Sequence, residues 1–364
     1  MSVASEITRL QNAKSALKTS LNAKNDGSHQ ITNETLDNYS NFVDSIETGG
    51  GGTEPSKGII ITDWDNNGYP TKYKIKNMTL VANTFNSTGA LNSKMTDINI
   101  AQGNTSITSI PDYFCNNCAS LVNINIPNTV TSIGQYAFQG CSNLQISSLP
   151  TSLTTLNQYC FKGCTNATIS SLPSTVTSLG TQTFQDCSNI TLSSLPEGIN
   201  YFSGSSTFAG CSKITINKIP PLITTIMNVA GTFNGCTSIT KMDFANATAL
   251  GNLMFNNCTA MKSFIGEKVT TIPNANNKNS AFYNCTSLKA VWLGNAITSS
   301  GFARYAFRNC LALEKIYIDL PRATVESFAN YQYKWSYDSL PNCEIICNDD
   351  SSFISAATFR NTEW

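Results

Sequence analysis

The sequence predicts a solenoid that is mainly β with short helices, and three observations support this prediction. A motif built around phenylalanine and cysteine recurs through most of the 364 residues at a nearly constant spacing. Each copy contains a short stretch of alternating apolar and polar residues, as in a strand with one buried side. Proline ends many of these stretches, because it cannot donate to a strand ladder. Stacked copies would bury one continuous core that no single copy could bury alone.

The repeat is clearest where residues 136–150 read YAFQGCSNLQISSLP and the pattern returns twenty-three residues later. Nine cysteines mark successive copies: Cys118, Cys141, Cys164, Cys187, Cys211, Cys236, Cys258, Cys285 and Cys310. Eight of them follow a phenylalanine after two variable residues: Phe138, Phe161, Phe184, Phe208, Phe233, Phe255, Phe282 and Phe307. The first copy slips by one residue, since Phe114 lies four before Cys118. With a degenerate leading copy that contains Phe85, the array spans 83–320, and its period is typical of leucine-rich-repeat solenoids.

One copy shows how each turn would bury its apolar residues. In the stretch LVNINIP, Ile124 and Ile126 should point inward and Asn123 and Asn125 outward, because successive side chains of a strand alternate. Pro127 then ends the strand. A short irregular or helical piece leads on to the next phenylalanine.

The repeated cysteines are interpreted as a structural ladder of buried thiols. Cysteine is small and is among the residues most often buried as a free thiol. Zinc sites need cysteines clustered two to four apart, whereas these lie about one turn apart. A catalytic cysteine would be singular and close to a base. Cys343 and Cys347 form a closer pair near the end, where a metal site is the alternative, although no matching second pair is present.

The pattern I-x-x-I-(x)n-F-x-x-C-x-x-L-x-x-I-x-I-P resembles that of the BspA-like leucine-rich repeats. The resemblance covers roughly residues 80 to 347. Repeats of this family occur in surface proteins of gut and oral bacteria, in some protists, and in phages of such bacteria. The resemblance implies a role in adhesion or recognition, without specifying a partner.

The N-terminal region differs from the array. Apolar residues three and four apart predict two amphipathic helices within 1–48. Such short helices must pack on each other, on copies of themselves or on a partner. We therefore interpret 1–48 as an anchor that favours self-association, with a trimer as the expected state. The anchor residues are Ile7, Leu10, Ala13, Leu17, Leu21, Leu36, Tyr39, Val43 and Ile46.

A glycine-rich linker at 49–57 separates this anchor from a predicted β-hairpin at 58–82. Ile59–Ile61 and Tyr73–Ile75 flank the sequence DNNGYP, in which Asn67-Gly68 is a strong turn signal. We expect this hairpin to cap the leading edge of the solenoid, because terminal repeats must cover an open core.

The C-terminal region, 321–364, is predicted to be a cap followed by a tail. Four aromatic residues crowd together there: Tyr331, Tyr333, Trp335 and Tyr337. They either close the last core layer or form a patch that binds sugars or a protein surface. The last stretch, SSFISAATFRNTEW, is predicted to be a peripheral tail or a segment docked in an assembly.

A second resemblance concerns the N-terminal part. SEITRLQNAKSALKTSL is similar to the N-terminal segment of tail, baseplate and fibre proteins of gut-bacterial phages, and IITDWDNNGYPTKYKI resembles the hairpin that precedes BspA-like repeats in those proteins. This implies a head fibre, tail fibre or tail-associated adhesin. Its partners would be other virion proteins, bound through 1–48, and a glycan or protein of the host cell surface. It would be made in the host cytoplasm without a signal peptide, since the N-terminus has no apolar signal core, and would reside in the virion.

Composition argues against several other functions. Lysine plus arginine equals aspartate plus glutamate at 23 each, which disfavours a nucleic-acid binder. No apolar run approaches the ~20 residues of a membrane span. The single histidine, His29, lies in a polar turn, and Asp63 and Asp65 fit turn chemistry better than a calcium loop. The sequence therefore predicts neither an enzyme nor a metal or cofactor site.

Two alternatives to the virion protein remain, namely a bacterial surface adhesin and a particle-decorating spacer without a receptor. A spacer needs no adhesive surface, so the outward side chains of the strands distinguish a receptor-binding protein from a spacer. Those expected outward are small and polar: Asn123, Asn125, Gln145, Ser147, Thr191 and Lys218. Trp292 and Tyr317 are exceptions, and each lies between two apolar residues expected to point inward. Their rings should face outward, so both are candidate receptor contacts.

Overall fold

A computed structural model describes residues 58–64, 70–76, 94–100, 107–224, 230–244, 246–273, 280–299, 305–328 and 343–364. The predicted anchor 1–48, the linker 49–57, the Asn67-Gly68 turn and Phe85 lie outside the described residues. The same holds for His29, Asp65 and the aromatic cluster of 331–337. The predictions made for these parts stay predictions.

The described chain is mainly β, with two short helices. The strands are β1 (Gly58–Trp64), β2 (Pro70–Lys76), β3 (Asp97–Ile100), β4 (Ser109–Ile110), β5 (Asn123–Asn125), β6 (Ser132–Ile133), β7 (Thr155–Leu156), β8 (Ser178–Leu179), β9 (Tyr201–Phe202), β10 (Lys241–Asp243), β11 (Ser263–Gly266), β12 (Ala290–Leu293), β13 (Lys315–Ile318) and β14 (Glu344–Cys347). The helices are α1 (Arg322–Glu326) and α2 (Ala356–Asn361). All strand pairs apart from β1–β2 are parallel, as expected when successive coils stack in one direction.

Each full coil of the array has three sides. The first side carries the sheets β1-β2-β3-β5 and β10-β11-β12-β13-β14. In the coils between these sheets, extended segments continue the ladder with single backbone bonds, such as Thr168 N–H to the Ile146 carbonyl at 2.9 Å. We call the outward surface of this side the strand face. The second side carries the two-residue strands β4-β6-β7-β8-β9, and the third carries the turn between phenylalanine and cysteine.

The N-terminal hairpin lies at the edge of the first sheet. β1 and β2 pair antiparallel, with Ile59 opposite Ile75 and Ile61 opposite Tyr73. β2 then runs parallel to β3, the first strand of the array. Tyr73 and Ile75 are buried in the main core, so the hairpin covers the leading edge of that core.

The phenylalanines form a continuous interior stack. All eight from Phe138 to Phe307 are fully buried, and neighbouring ring centroids lie 5.3–5.8 Å apart with nearly parallel planes. The ring of Phe114 departs from the stack, because it meets Phe138 edge-on at 82°. The one-residue slip in the first copy explains this geometry, since it places Cys115 rather than Phe114 at the stacked position.

The cysteine ladder lies beside this stack, and each thiol has a specific partner. The Sγ atom of Cys164 donates to the carbonyl of Phe138 in the preceding coil at 3.1 Å, and the later ladder cysteines repeat this bond at 3.0–3.1 Å. In the first coil, Cys141 donates instead to Cys115, which holds the stacked position. Cysteine suits this site because it is small and apolar, yet carries a weak donor for a buried carbonyl.

The residue before each ladder cysteine has a left-handed backbone, with φ of +72° at Gly140, +61° at Asp186 and +59° at Asn257. Glycine adopts this conformation freely, and asparagine and aspartate tolerate it better than other residues. The array uses only these three types at this position: Asn117, Gly140, Gly163, Asp186, Gly210, Gly235, Asn257, Asn284 and Asn309. The repeat pattern in the sequence leaves both residues between phenylalanine and cysteine variable. The second of them is in fact restricted to glycine, asparagine or aspartate, because its backbone is left-handed.

Candidate functional site

The strand face is exposed and polar over the N-terminal and central coils. All six side chains expected to point outward are exposed there: Asn123, Asn125, Gln145, Ser147, Thr191 and Lys218. The intervening Ile124 and Ile126 are half-buried and pack on the main core. Side-chain amides link neighbouring coils, because Asn123 Nδ2 donates to an Asp97 carboxylate oxygen at 2.8 Å.

Two outward residues of the last strands are not exposed, contrary to the prediction. Trp292 and Tyr317 are paired in register on β12 and β13, and their rings do project from the outer surface of the sheet. They are only 4% and 3% exposed, however, because the C-terminal residues cover them. The assignment of Trp292 and Tyr317 as accessible receptor contacts is therefore wrong for this structure.

The covering segment consists of residues 353–364, which we call the C-terminal cover. Its helix α2 begins at the N-cap Ser355, whose Oγ accepts a bond from the Thr358 N–H. Phe359 inserts its ring 5.9 Å from that of Tyr317. The Trp292 Nε1–H donates to the Ile354 carbonyl at 3.0 Å. The predicted peripheral tail thus docks on the chain's own sheet, since α2 has an apolar side that matches the outward aromatics.

Electrostatic contacts fix the position of the cover. Arg360 donates from Nε to an Asp243 carboxylate oxygen at 2.8 Å and pairs through Nη2 with Glu267. The hydrogen bond that Arg360 donates to Asp243 is the main reason that the pKa of Arg360 is raised. These contacts connect α2 to β10, which precedes β11 in the same sheet.

A cleft of about 280 Å³ opens where the polar strand face meets the C-terminal cover. Strands β10 and β11 form its floor, and α2 forms one wall. Its lining residues are Asn217, Lys218, Lys241, Met242, Asp243, Ser263, Ile265, Phe359, Arg360 and Asn361. Of these, the sequence interpretation had singled out only Lys218. Lys241 lies on the same surface as Lys218, and this second lysine is a signal from which the sequence could have predicted the cleft.

A second polar cluster lies just after β14. Ligand atoms of Cys347, Asp349 and Asp350 come within 4.8 Å of one another. Arg322 engages both carboxylates, since its Nη2 lies 2.6 Å from Asp350 and its backbone N–H donates to Asp349 at 3.0 Å. The Arg322 hydrogen bond lowers the pKa of Asp350. The cluster thus stabilises the start of α1, and Cys343 is buried beside the last strand.

Among the described helices, neither has the length and apolar character that crossing a bilayer would require.

A match to a protein-family model agrees with this architecture. The family model described as "BspA type Leucine rich repeat region" matches in six copies, at residues 108–230, 204–338 and 277–363. A T. pallidum leucine-rich repeat protein is 20% identical and aligns over 55% of this chain and 86% of its own, with a TM-score of 0.41. A leucine-rich cell surface protein from Faecalibacterium prausnitzii is 18% identical over 78% of this chain and 98% of its own, with a TM-score of 0.34.

The pneumococcal vaccine antigen PcpA is 16% identical over 79% of this chain and 83% of its own, with a TM-score of 0.42. No match was found among curated proteins. The family matches together span residues 108–363, which is well over half of the chain. On this basis, the chain belongs to the BspA-type leucine-rich-repeat family.

Proposed function

We propose that this chain is a recognition and adhesion protein whose strand face binds a glycan or protein on a cell surface. The observation that carries the proposal is the exposed row of amides and hydroxyls on the strand face, running from Asn99 to Lys241. The core does not depend on these side chains, because the inward positions of the same coils supply the burial.

The spacing of this row suits an extended polar ligand. Neighbouring strands lie about 4.7–4.9 Å apart, so each coil offers donors and acceptors at a regular interval. The formal net charge of zero means that contacts would depend on short-range hydrogen bonds rather than on long-range steering. Hydroxyl-rich glycans fit such a surface, and so does a polar protein surface.

The finer form of the proposal is a phage virion protein, either a head or tail fibre or a tail-associated adhesin. The support is the resemblance of the N-terminal segment and of the hairpin to parts of phage structural proteins. In this form, residues 1–48 attach the chain to other virion proteins, and a trimer is favoured. Immunogold microscopy of purified phage particles tests this form, since an absence of label from every particle would contradict it.

A BspA-type bacterial surface adhesin is the second candidate. The family match favours it, because the repeats that define this family make up most of the chain. Both candidates use the same strand face, and they differ in what the N-terminal region attaches to.

A triple variant of the strand face tests the recognition role. Asn123→Ala, Asn125→Ala and Gln145→Ala together are expected to weaken binding of the full-length chain to gut-bacterial cells at least 10-fold. Each lost hydrogen bond contributes about 0.5–1.5 kcal/mol. Flow cytometry with fluorescently labelled protein measures the change.

The matched control is Ser152→Ala, Thr154→Ala and Ser174→Ala, three exposed positions near the second side of the coils. This control is expected to bind as the unmodified chain does. If the strand-face variant binds cells as well as the unmodified chain does, the recognition role is contradicted. The same holds if the unmodified chain binds none of the cell types tested. Either result would favour the particle-decorating spacer.

A further inference from the structure

We propose that the cleft beside the C-terminal cover binds a carboxylate-bearing sugar. This inference rests on the proposed recognition function and assigns a chemical class of ligand to one part of the strand face. Its basis is a combination that the central coils lack: an apolar floor, two lysines without a described partner, and a wall formed by α2.

The floor of the cleft is apolar and fixed in place. Ile265 and Phe359 are 4% and 2% exposed and pack in one cluster between the sheet and the cover, whereas Met242 belongs to the main core. Such a floor offers dispersion contacts to the C–H side of a pyranose ring. A preformed floor also reduces the ordering that binding would otherwise require.

The charges around the cleft leave one positive charge in excess. Asp243 and Glu267 both engage Arg360, so this group of three carries one net negative charge. Lys218 lies next to Asp243 in register, yet within the described residues neither Lys218 nor Lys241 forms an ion pair. The two ammonium groups border the cleft and outweigh that negative charge, so the cleft carries one net positive charge.

Two amide side chains in the lining offer hydrogen bonds to the hydroxyl groups of a sugar. Asn217 lines the cleft on the sheet side and Asn361 on the α2 side, where its Nδ2 donates to the Ala357 carbonyl at 3.1 Å and its Oδ1 can still accept. Amides can both donate to and accept from hydroxyl groups. The lysines would pair with a carboxylate, because hydrogen bonds between charged groups are about twice as strong as neutral ones.

The size of the cleft limits the ligand. Its volume of about 280 Å³ lies just below the range of about 300–1,000 Å³ that accommodates drug-sized ligands. One sugar ring with its carboxylate fits this space better than a folded peptide does. The rest of a longer glycan would continue over the polar strand face.

Binding of free sugars to the full-length chain tests the inference. N-acetylneuraminate and glucuronate are the acidic probes, and N-acetylglucosamine and glucose are the neutral ones. Saturation-transfer NMR and titration calorimetry should show at least 10-fold tighter binding of one acidic probe than of its neutral counterpart. Lys218→Gln and Lys241→Gln should each weaken that binding about 5- to 10-fold, since each removes one cation and preserves side-chain length.

The matched control is Lys162→Gln, which removes a cation from the turn on another side of the coil, where Lys162 lies over the Tyr159 ring. It should bind the acidic probe as the unmodified chain does. Equal affinity for acidic and neutral probes would overturn the inference, and so would unchanged affinity in both cleft variants. If the chain binds cells but the cleft variants do so equally well, the cleft inference fails and the recognition function stands. If the chain binds the acidic probe but no cell surface, the recognition function fails instead.

Discussion

Phe208→Ala is expected to lower the free energy of unfolding by about 3–5 kcal/mol, the usual effect of deleting a fully buried aromatic ring. The Phe208 ring is completely buried between those of Phe184 and Phe233, with centroids 5.8 and 5.7 Å away. Phe202 contacts it edge-on from the second side of the coil. Neighbouring coils cannot collapse into the resulting cavity, because the backbone ladders hold their spacing. Urea unfolding followed by circular dichroism measures the change.

Tyr201→Ala is the matched control, since Tyr201 precedes Phe202 on β9 yet is 50% exposed. Removing an exposed ring should change the free energy of unfolding by less than about 0.5 kcal/mol. A similar loss in the two variants would contradict the interior stack.

Alkaline pH is expected to destabilise the array steeply. Burial raises the pKa of eight ladder thiols above the ordinary value: Cys141, Cys164, Cys187, Cys211, Cys236, Cys258, Cys285 and Cys310. The folded chain therefore keeps these protons where the unfolded chain, with thiol pKa values of about 8.5, releases them. This stabilisation is fully present below about pH 8.5 and is lost as the pH rises towards the folded-state pKa values. Each thiol contributes a slope of up to about 1.4 kcal/mol per pH unit.

The measurement is the free energy of unfolding in urea between pH 7 and pH 10.5 under reducing conditions. Cys211→Ala is the control, because it removes one of the eight thiols with the smallest change in side-chain size. Its curve should start below that of the unmodified chain near pH 7 and fall less steeply above pH 9. The difference in slope should be about 1.4 kcal/mol per pH unit. Parallel curves would show that the thiol of Cys211 is not protected in the folded state.

The sequence was informative wherever structure repeats. The Phe and Cys positions and the outward polar residues follow from local periodicity, and the pairing of Ile59–Ile61 with Tyr73–Ile75 follows from the turn signal between the two segments. Two periods act together, since side chains alternate within a strand and the core repeats with each coil. The outward position of Gln145 is therefore predicted twice, by alternation within its own extended segment and by the equivalent positions in neighbouring coils.

The covered region could not be predicted in the same way. Alternation placed Trp292 and Tyr317 on the outer surface, but nothing local indicated what covers them. The covering residues are distant in sequence, since Trp292 bonds to Ile354 62 residues later. A signal was present nonetheless, because Ser355 begins a short stretch that carries Phe359 and Trp364 outside the repeat. Large aromatics facing out of a sheet, together with an unassigned apolar segment, indicate a cover.

The reactivity of the cysteines tests the central claim most directly, namely that the repeated phenylalanines and cysteines fill the interior of a solenoid. All thirteen cysteines of the chain are buried and reduced. Native full-length protein at pH 8 with a thiol-specific disulfide reagent should therefore react at essentially none of them. All thirteen should react at once after unfolding in guanidinium. Rapid reaction of several array cysteines in the native protein would contradict the account.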